Sequence, residues 1–163
     1  MNESMVLFNA NGSIGLNVAE TPDYQRLEDF LREMDRLGVA QALAWNKSSV
    51  PHARGGNRRL LESISACPAA RNRIFPALVI APAMLYEKGA LDDLVETMRR
   101  EKIRALRALP KDLYYDLRQL EFLLKHLARF KPVIMVHSRD IGDGQSLLFL
   151  AERFPAMKFI ITE

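Results

Sequence analysis

The feature that most constrains this chain is a change of hydrophobic period that recurs along its length. Short apolar runs of strand type alternate with longer stretches in which apolar residues return every three or four positions. That alternation is the pattern of βα units built around a parallel sheet. Six strands are predicted, at residues 5–9, 41–45, 75–81, 103–109, 133–137 and 158–162, with helices between them at 24–37, 57–66, 90–102, 117–130 and 145–154. The first helix is the clearest. Thr21-Pro22-Asp23 supplies a cap with proline at the first helical position. Leu27, Phe30, Leu31, Met34 and Leu37 then share one face, and Gly38 ends the helix.

A chain of 163 residues can bury one core. It falls short of the ~250 residues usual for a closed eight-stranded barrel. The expected fold class is therefore α/β, a parallel barrel of TIM type left incomplete at about six strands and five helices, in a single partial domain over residues 1–163. An open doubly wound sheet would also hold six strands. A nucleotide enzyme of that kind would show a phosphate-binding fingerprint after the first strand, and Asn11-Gly12-Ser13-Ile14-Gly15 does not supply one. An incomplete barrel leaves strands one and six with unpaired edges, so the expectation is either that the 163 residues are a piece of a longer polypeptide or that the isolated chain self-associates through the apolar Phe159-Ile160-Ile161 or aggregates.

Composition narrows the partners. Twenty-three Lys and Arg against twenty Asp and Glu leave a formal charge of +3, too small an excess to imply nucleic acid or a membrane surface. The basic group Arg54, Arg58, Arg59, Arg71 and Arg73 has no interleaved aromatics and reads as solvated surface. A small-molecule substrate remains. The single cysteine, Cys67, allows neither an internal disulfide nor a cysteine-based zinc cluster, and no basic start with a long apolar run opens the chain, so a cytoplasmic location is expected.

In an α/β barrel the strand C-termini and the loops after them form the active face. Asn9, Asn11 and Ser13 share one parity after the first strand and could all face the interior, or could form an ordinary Asn/Gly/Ser turn. Arg107 lies inside strand four. It could clamp a substrate carboxylate, or sit exposed at the strand edge beside Arg104. Gly142-Asp143-Gly144-Gln145-Ser146 could present backbone N–H groups to an anion but lacks the ending of a phosphate loop. His52 and His126 are placed in a loop and a helix, away from strand ends.

Several stretches, in order, resemble the amidohydrolase superfamily of TIM-barrel metal-dependent hydrolases and decarboxylases. They are Asn9 to Gly15, Met34-Asp35-Arg36-Leu37-Gly38-Val39, Asn57 with Leu60-Leu61, Arg73-Ile74-Phe75-Pro76-Ala77, Val133-Ile134-Met135-Val136-His137, and Phe154-Pro155-Ala156-Met157-Lys158-Phe159-Ile160. The resemblance covers the N-terminal two-thirds of such a barrel. Members typically open with Asp-Ala-His-x-His-x-Gly, and here Asn9 stands for the Asp, Asn11 for the first His and Ser13 for the second. That chemistry depends on a divalent metal, zinc by resemblance, which activates water or polarises a substrate oxygen. An amide oxygen and a hydroxyl are poor zinc ligands, so Asn11 and Ser13 hold the ligand positions without the donors and no cofactor is expected in this chain.

The resemblance places a metal-binding or substrate-polarising residue at His137, which could alternatively bond neighbouring backbone. It places a further ligand position at Glu163, where a carboxylate could bind a metal or act as a base. The implied function is a hydrolase or decarboxylase acting on a small cyclic or carboxylated substrate, inactive or impaired as written, with His137 as catalytic residue and Arg107 binding substrate. The alternative is a catalytically dead barrel fragment that acts as a binding or assembly module.

Overall fold

β-Branched and aliphatic runs become β1 (Leu7–Ile14), β2 (Val39–Asn46), β3 (Ile74–Ile80), β4 (Ala105–Ala108), β5 (Val133–His137) and β6 (Lys158–Thr162). The helical stretches become α1 (Leu27–Arg36), α2 (Ala53–Ala66), α3 (Ala90–Arg100), α4 (Leu120–Leu127) and α5 (Gln145–Arg153). The structure is a computed structural model and describes residues 6–15 and 26–163; Met5 and the Thr21-Pro22-Asp23 cap with Tyr24 lie outside them. The six strands pair in parallel and in chain order. They form a curled half-barrel with five helices, an incomplete α/β parallel barrel.

The first strand departs from expectation. It does not end at Asn9 but continues to Ile14, with Ser13 opposite Trp45 and Ile14 opposite Asn46. A bulge falls between Asn9 and Gly12, where the Asn9 side chain accepts the Asn11 N–H at 2.8 Å. Residues with turn chemistry are strand here because they line a polar mouth instead of a core. Gly12 sits where a Cβ would lie 2.7 Å from the Phe30 ring, so its lack of a side chain lets α1 close on β1.

In α1, Leu27, Phe30, Leu31 and Met34 are buried as the spacing predicts, but Leu37 is the C-terminal cap and is 51% exposed. Helix α2 starts at Ala53 instead of Asn57, because His52 Nδ1 accepts the Gly55 N–H at 2.9 Å and caps an extra turn. The predicted fourth helix is α-helical only over its middle, with 3-10 turns at 117–119 and 128–130, yet Leu120, Leu123, Leu124 and Leu127 are fully buried. β4 shrinks to four residues. β5 and β6 have the predicted bounds.

Two side chains complete the sheet where ladder bonds run out. The β2–β3 register covers only Ala42–Ala44 against Ile74–Pro76. Beyond it, the buried Asn57 carboxamide accepts the Val79 N–H and donates to the Val79 carbonyl, both at 2.8 Å. Between β3 and β4, the Tyr115 hydroxyl accepts the Leu109 N–H at 3.0 Å and donates to the Ile80 carbonyl at 3.2 Å. Helices and sheet enclose two large apolar clusters, one around Leu78, Leu106 and Leu124 and one around Phe30, Ala42 and Leu60. A third and smaller cluster joins Ala77, Ala105 and Met135 with Leu43, Trp45 and Ile160.

Among the described residues β1 pairs only with β2, and β6 only with β5. Val6 is 70% exposed, Phe8 49% and Ile161 57%. Apolar unpaired edges of this kind recruit partners. Sedimentation of the chain over a concentration series is expected to show self-association, and a monodisperse monomer at all concentrations would contradict the open-edge reading.

Candidate functional site

At the C-terminal ends of the strands lies a cavity of about 180 Å³, lined by Asn11, Ser13, Trp45, Lys47, Val50, Arg107, Leu109, Asp112, His137 and Arg139. Three of these side chains are cationic, Lys47, Arg107 and Arg139, against the single carboxylate of Asp112. Each comes from a strand end or the segment after it, the arrangement that makes this face of a barrel a binding face.

Arg107 is the centre of the site. The reading as an exposed strand-edge arginine is overturned: it is 2% exposed. Its Nη1 donates to Asn11 Oδ1 at 3.1 Å and to Thr162 Oγ1 at 2.8 Å, and the guanidinium lies 5.7 Å from the Trp45 ring centroid. Nε is buried without a partner among the described residues. Burial lowers the Arg107 pKa and the Asp140 charge opposes that shift, yet a guanidinium stays protonated. No carboxylate among the described residues forms an ion pair with it. The buried cation is thus held by neutral groups and a ring face.

His137 ends β5 and turns into a short 3-10 segment at 138–140. Its Nδ1 accepts the Arg139 N–H at 3.1 Å. In the neutral ring the hydrogen is then on Nε2, so His137 is a hydrogen-bond donor at the cavity wall. It bonds neighbouring backbone and also lines the cavity. Arg139 is tied to Asp112 at 3.0 Å, which occupies the one carboxylate of the lining.

The remaining sequence candidates fall as follows. Asn11 and Ser13 both line the cavity. Asn11 is committed on both sides: its oxygen takes Arg107, and its Nδ2 donates to the main-chain oxygen of Glu163 at 2.7 Å. Glu163 thus contributes backbone to the site, and its side chain is exposed. The Gly142 to Ser146 loop spends the Gln145 N–H on Asp143 Oδ1 at 3.0 Å. His52 and His126 are exposed, and the arginines Arg54, Arg58 and Arg73 make ion pairs with Glu87, Glu62 and Asp35.

The donor set does not fit zinc. Asn11 Oδ1 carries a guanidinium, Ser13 offers a hydroxyl, and the His137 lone pair is taken by backbone. Among the described residues no group of three or more His, Cys, Asp or Glu could hold a metal ion. No described helix is long and apolar enough to cross a membrane.

Asp140 carried no signal in the sequence. Its side chain is wholly buried beside the site, neither oxygen has a hydrogen-bond partner among the described residues, and Arg139 Nε lies 3.7 Å away. Burial raises its pKa, against the lowering effect of Arg139 and His137. A carboxyl whose folded pKa is raised favours the fold fully below its unfolded pKa, and that contribution is lost as pH climbs through the folded value. Asp140→Asn is therefore expected to melt above the parent at pH 7, with the gap narrowing toward pH 4; a lower melting temperature at pH 7 would show that the carboxylate is needed.

No protein-family model and no curated protein sequence matches the chain. Among solved structures, the fold is similar to that of a putative amidohydrolase from Staphylococcus aureus, with a TM-score of 0.61 and 11% identity, covering 96% of this chain and 66% of that one. The likeness is one of fold. A probable 2-pyrone-4,6-dicarboxylic acid hydrolase from Acinetobacter baumannii, solved with citric acid bound, aligns at a TM-score of 0.49 and 14% identity, covering 96% of this chain and 69% of that one. The first of these is the Staphylococcus aureus protein, and the similarity to it is one of fold. This chain spans just under two-thirds of that protein's length.

Proposed function

We propose that this half-barrel is an amidohydrolase-like hydrolase or decarboxylase whose mouth binds a small carboxylated substrate without a metal. The observation that carries the reading is the buried guanidinium of Arg107, facing the cavity with no carboxylate bound to it among the described residues. Arg107 takes the substrate carboxylate, and the His137 Nε2–H donates to a second substrate oxygen. A guanidinium can stabilise charge that grows on an oxygen, but it cannot generate hydroxide from water as a metal does.

Turnover is accordingly weak or absent. Hydrolysis needs a base for the attacking water, and the lining carboxylate, Asp112, is neutralised by Arg139. That engagement favours the second reading, in which the same site binds carboxylates as a module without turning them over. Both readings share the binding step and separate at catalysis.

Calorimetric titration with malonate, a carboxylate of a size suited to the cavity, tests the shared step. For His137→Ala the expected result is an affinity loss of about 1 kcal/mol, one hydrogen bond, with stability lowered by no more than about the same amount for the lost backbone contact. A fall of several kcal/mol in stability with malonate binding intact would make His137 a structural residue.

A further inference from the structure

β1 and β6 are the two open edges of the sheet and share no ladder bond among the described residues. One nitrogen in the strand midway between them nonetheless touches both. Arg107 Nη1 reaches Asn11 on β1 at 3.1 Å and Thr162 on β6 at 2.8 Å. Asn11 then spans directly from β1 to the Glu163 main-chain oxygen at 2.7 Å, immediately after β6. Three hydrogen bonds and the Thr162–Glu163 peptide link join these four residues into a closed circuit across the barrel mouth.

The circuit has a direction. Asn11 uses its oxygen to accept from Arg107 and its nitrogen to donate to Glu163, so its orientation is fixed by both partners at once. Thr162 is 6% exposed, and its hydroxyl accepts from Arg107 while lying 3.5 Å from the Val136 carbonyl, to which it can donate. Arg107 is thereby held by two acceptors on Nη1, which directs the rest of the fork toward the cavity. A long side chain has many rotamers, and fixing one before a ligand arrives removes that cost from binding.

We propose that Thr162 and Asn11 are positioning residues that clasp Arg107 between the open edges of the sheet, so that the binding cation and the closure of the half-barrel form one unit. Loosening one edge then loosens the other through Arg107, and an anion on Arg107 tightens both. The ligand half of this inference rests on the carboxylate reading above; the mechanical half stands on the hydrogen bonds alone.

Hydrogen exchange of the β1 and β6 amides, with and without malonate, tests it in the full chain, the parent and Thr162→Val and Thr162→Ser. Valine keeps the shape of threonine and loses the acceptor. The expected result is faster exchange in β6 and also in β1, where no substituted atom lies, with malonate affinity reduced about tenfold, the loss of one bond to a charged group. Thr162→Ser is expected to restore both. Unchanged exchange in β1, or equal effects of valine and serine, would overturn the clasp. Malonate binding that survives Arg107→Met would instead sink the carboxylate reading, and the exchange of β1 would still judge the clasp.

Discussion

Arg107→Met is expected to abolish most of the affinity for malonate, about 3 kcal/mol or roughly a hundredfold, while leaving the melting temperature close to the parent's. The two halves of this result have different causes. Affinity falls because the bidentate, charge-assisted contact to a carboxylate has no substitute in a thioether. Stability holds because two effects oppose each other. Methionine of similar length removes a buried charge that has no ion-pair partner among the described residues, which favours the fold. It also leaves Asn11 and Thr162 without their donor, which costs about 1 kcal/mol each. Calorimetry and thermal melting of the same sample read both quantities. A large drop in stability together with intact binding would reverse the assignment and make Arg107 a structural residue.

Asn57→Ala is expected to destabilise the chain by about 2–4 kcal/mol, a large effect for a residue away from the site. The carboxamide is the sole partner seen for the Val79 N–H and carbonyl on the side where β2 no longer pairs with β3. Removing it strands two buried backbone groups where water has little access. Asn57→Asp keeps the size and the acceptor but sets a carboxylate against the Val79 carbonyl, so it is expected to cost at least as much. Chemical denaturation gives the comparison. A loss below about 1 kcal/mol in both variants would mean that β2 and β3 can close the gap by themselves.

The fold was legible where burial and period agree. β5 and β6 are apolar over nearly their whole length, and their bounds are as predicted; the leucine stripe of α4 lies fully buried for the same reason. Prediction failed where a strand faces a polar space. Asn9 to Ser13 has the composition of a turn, and only the cavity beside it explains why those residues stay extended. The start of α2 was missed because its cap is the imidazole of His52, a residue type not usual at that position.

The site was legible one residue at a time and not as a set. Asn11, Ser13, Arg107 and His137 were all singled out, yet the decisive contacts join residues 96 and 55 positions apart in the chain. No local pattern carries such pairings. Neither Thr162 nor Asp140 was singled out. The signal at Arg107 was a charge inside the predicted strand 103–109, and it fitted either a polar inner face or an exposed edge beside Arg104.

In the function proposed above, an arginine and not a metal supplies the positive charge that binds carboxylate at this barrel mouth. Trp45 is the only tryptophan in the chain, and its ring lies 5.7 Å from the Arg107 guanidinium in the cavity wall, so its fluorescence reports on that cation directly. The measurement is a malonate titration of Trp45 emission in protein stripped with chelator, repeated with zinc added. The expected result is a saturable change that is the same with and without zinc and that disappears in Arg107→Met. A response that appears only when zinc is present, or that persists in Arg107→Met, would contradict it.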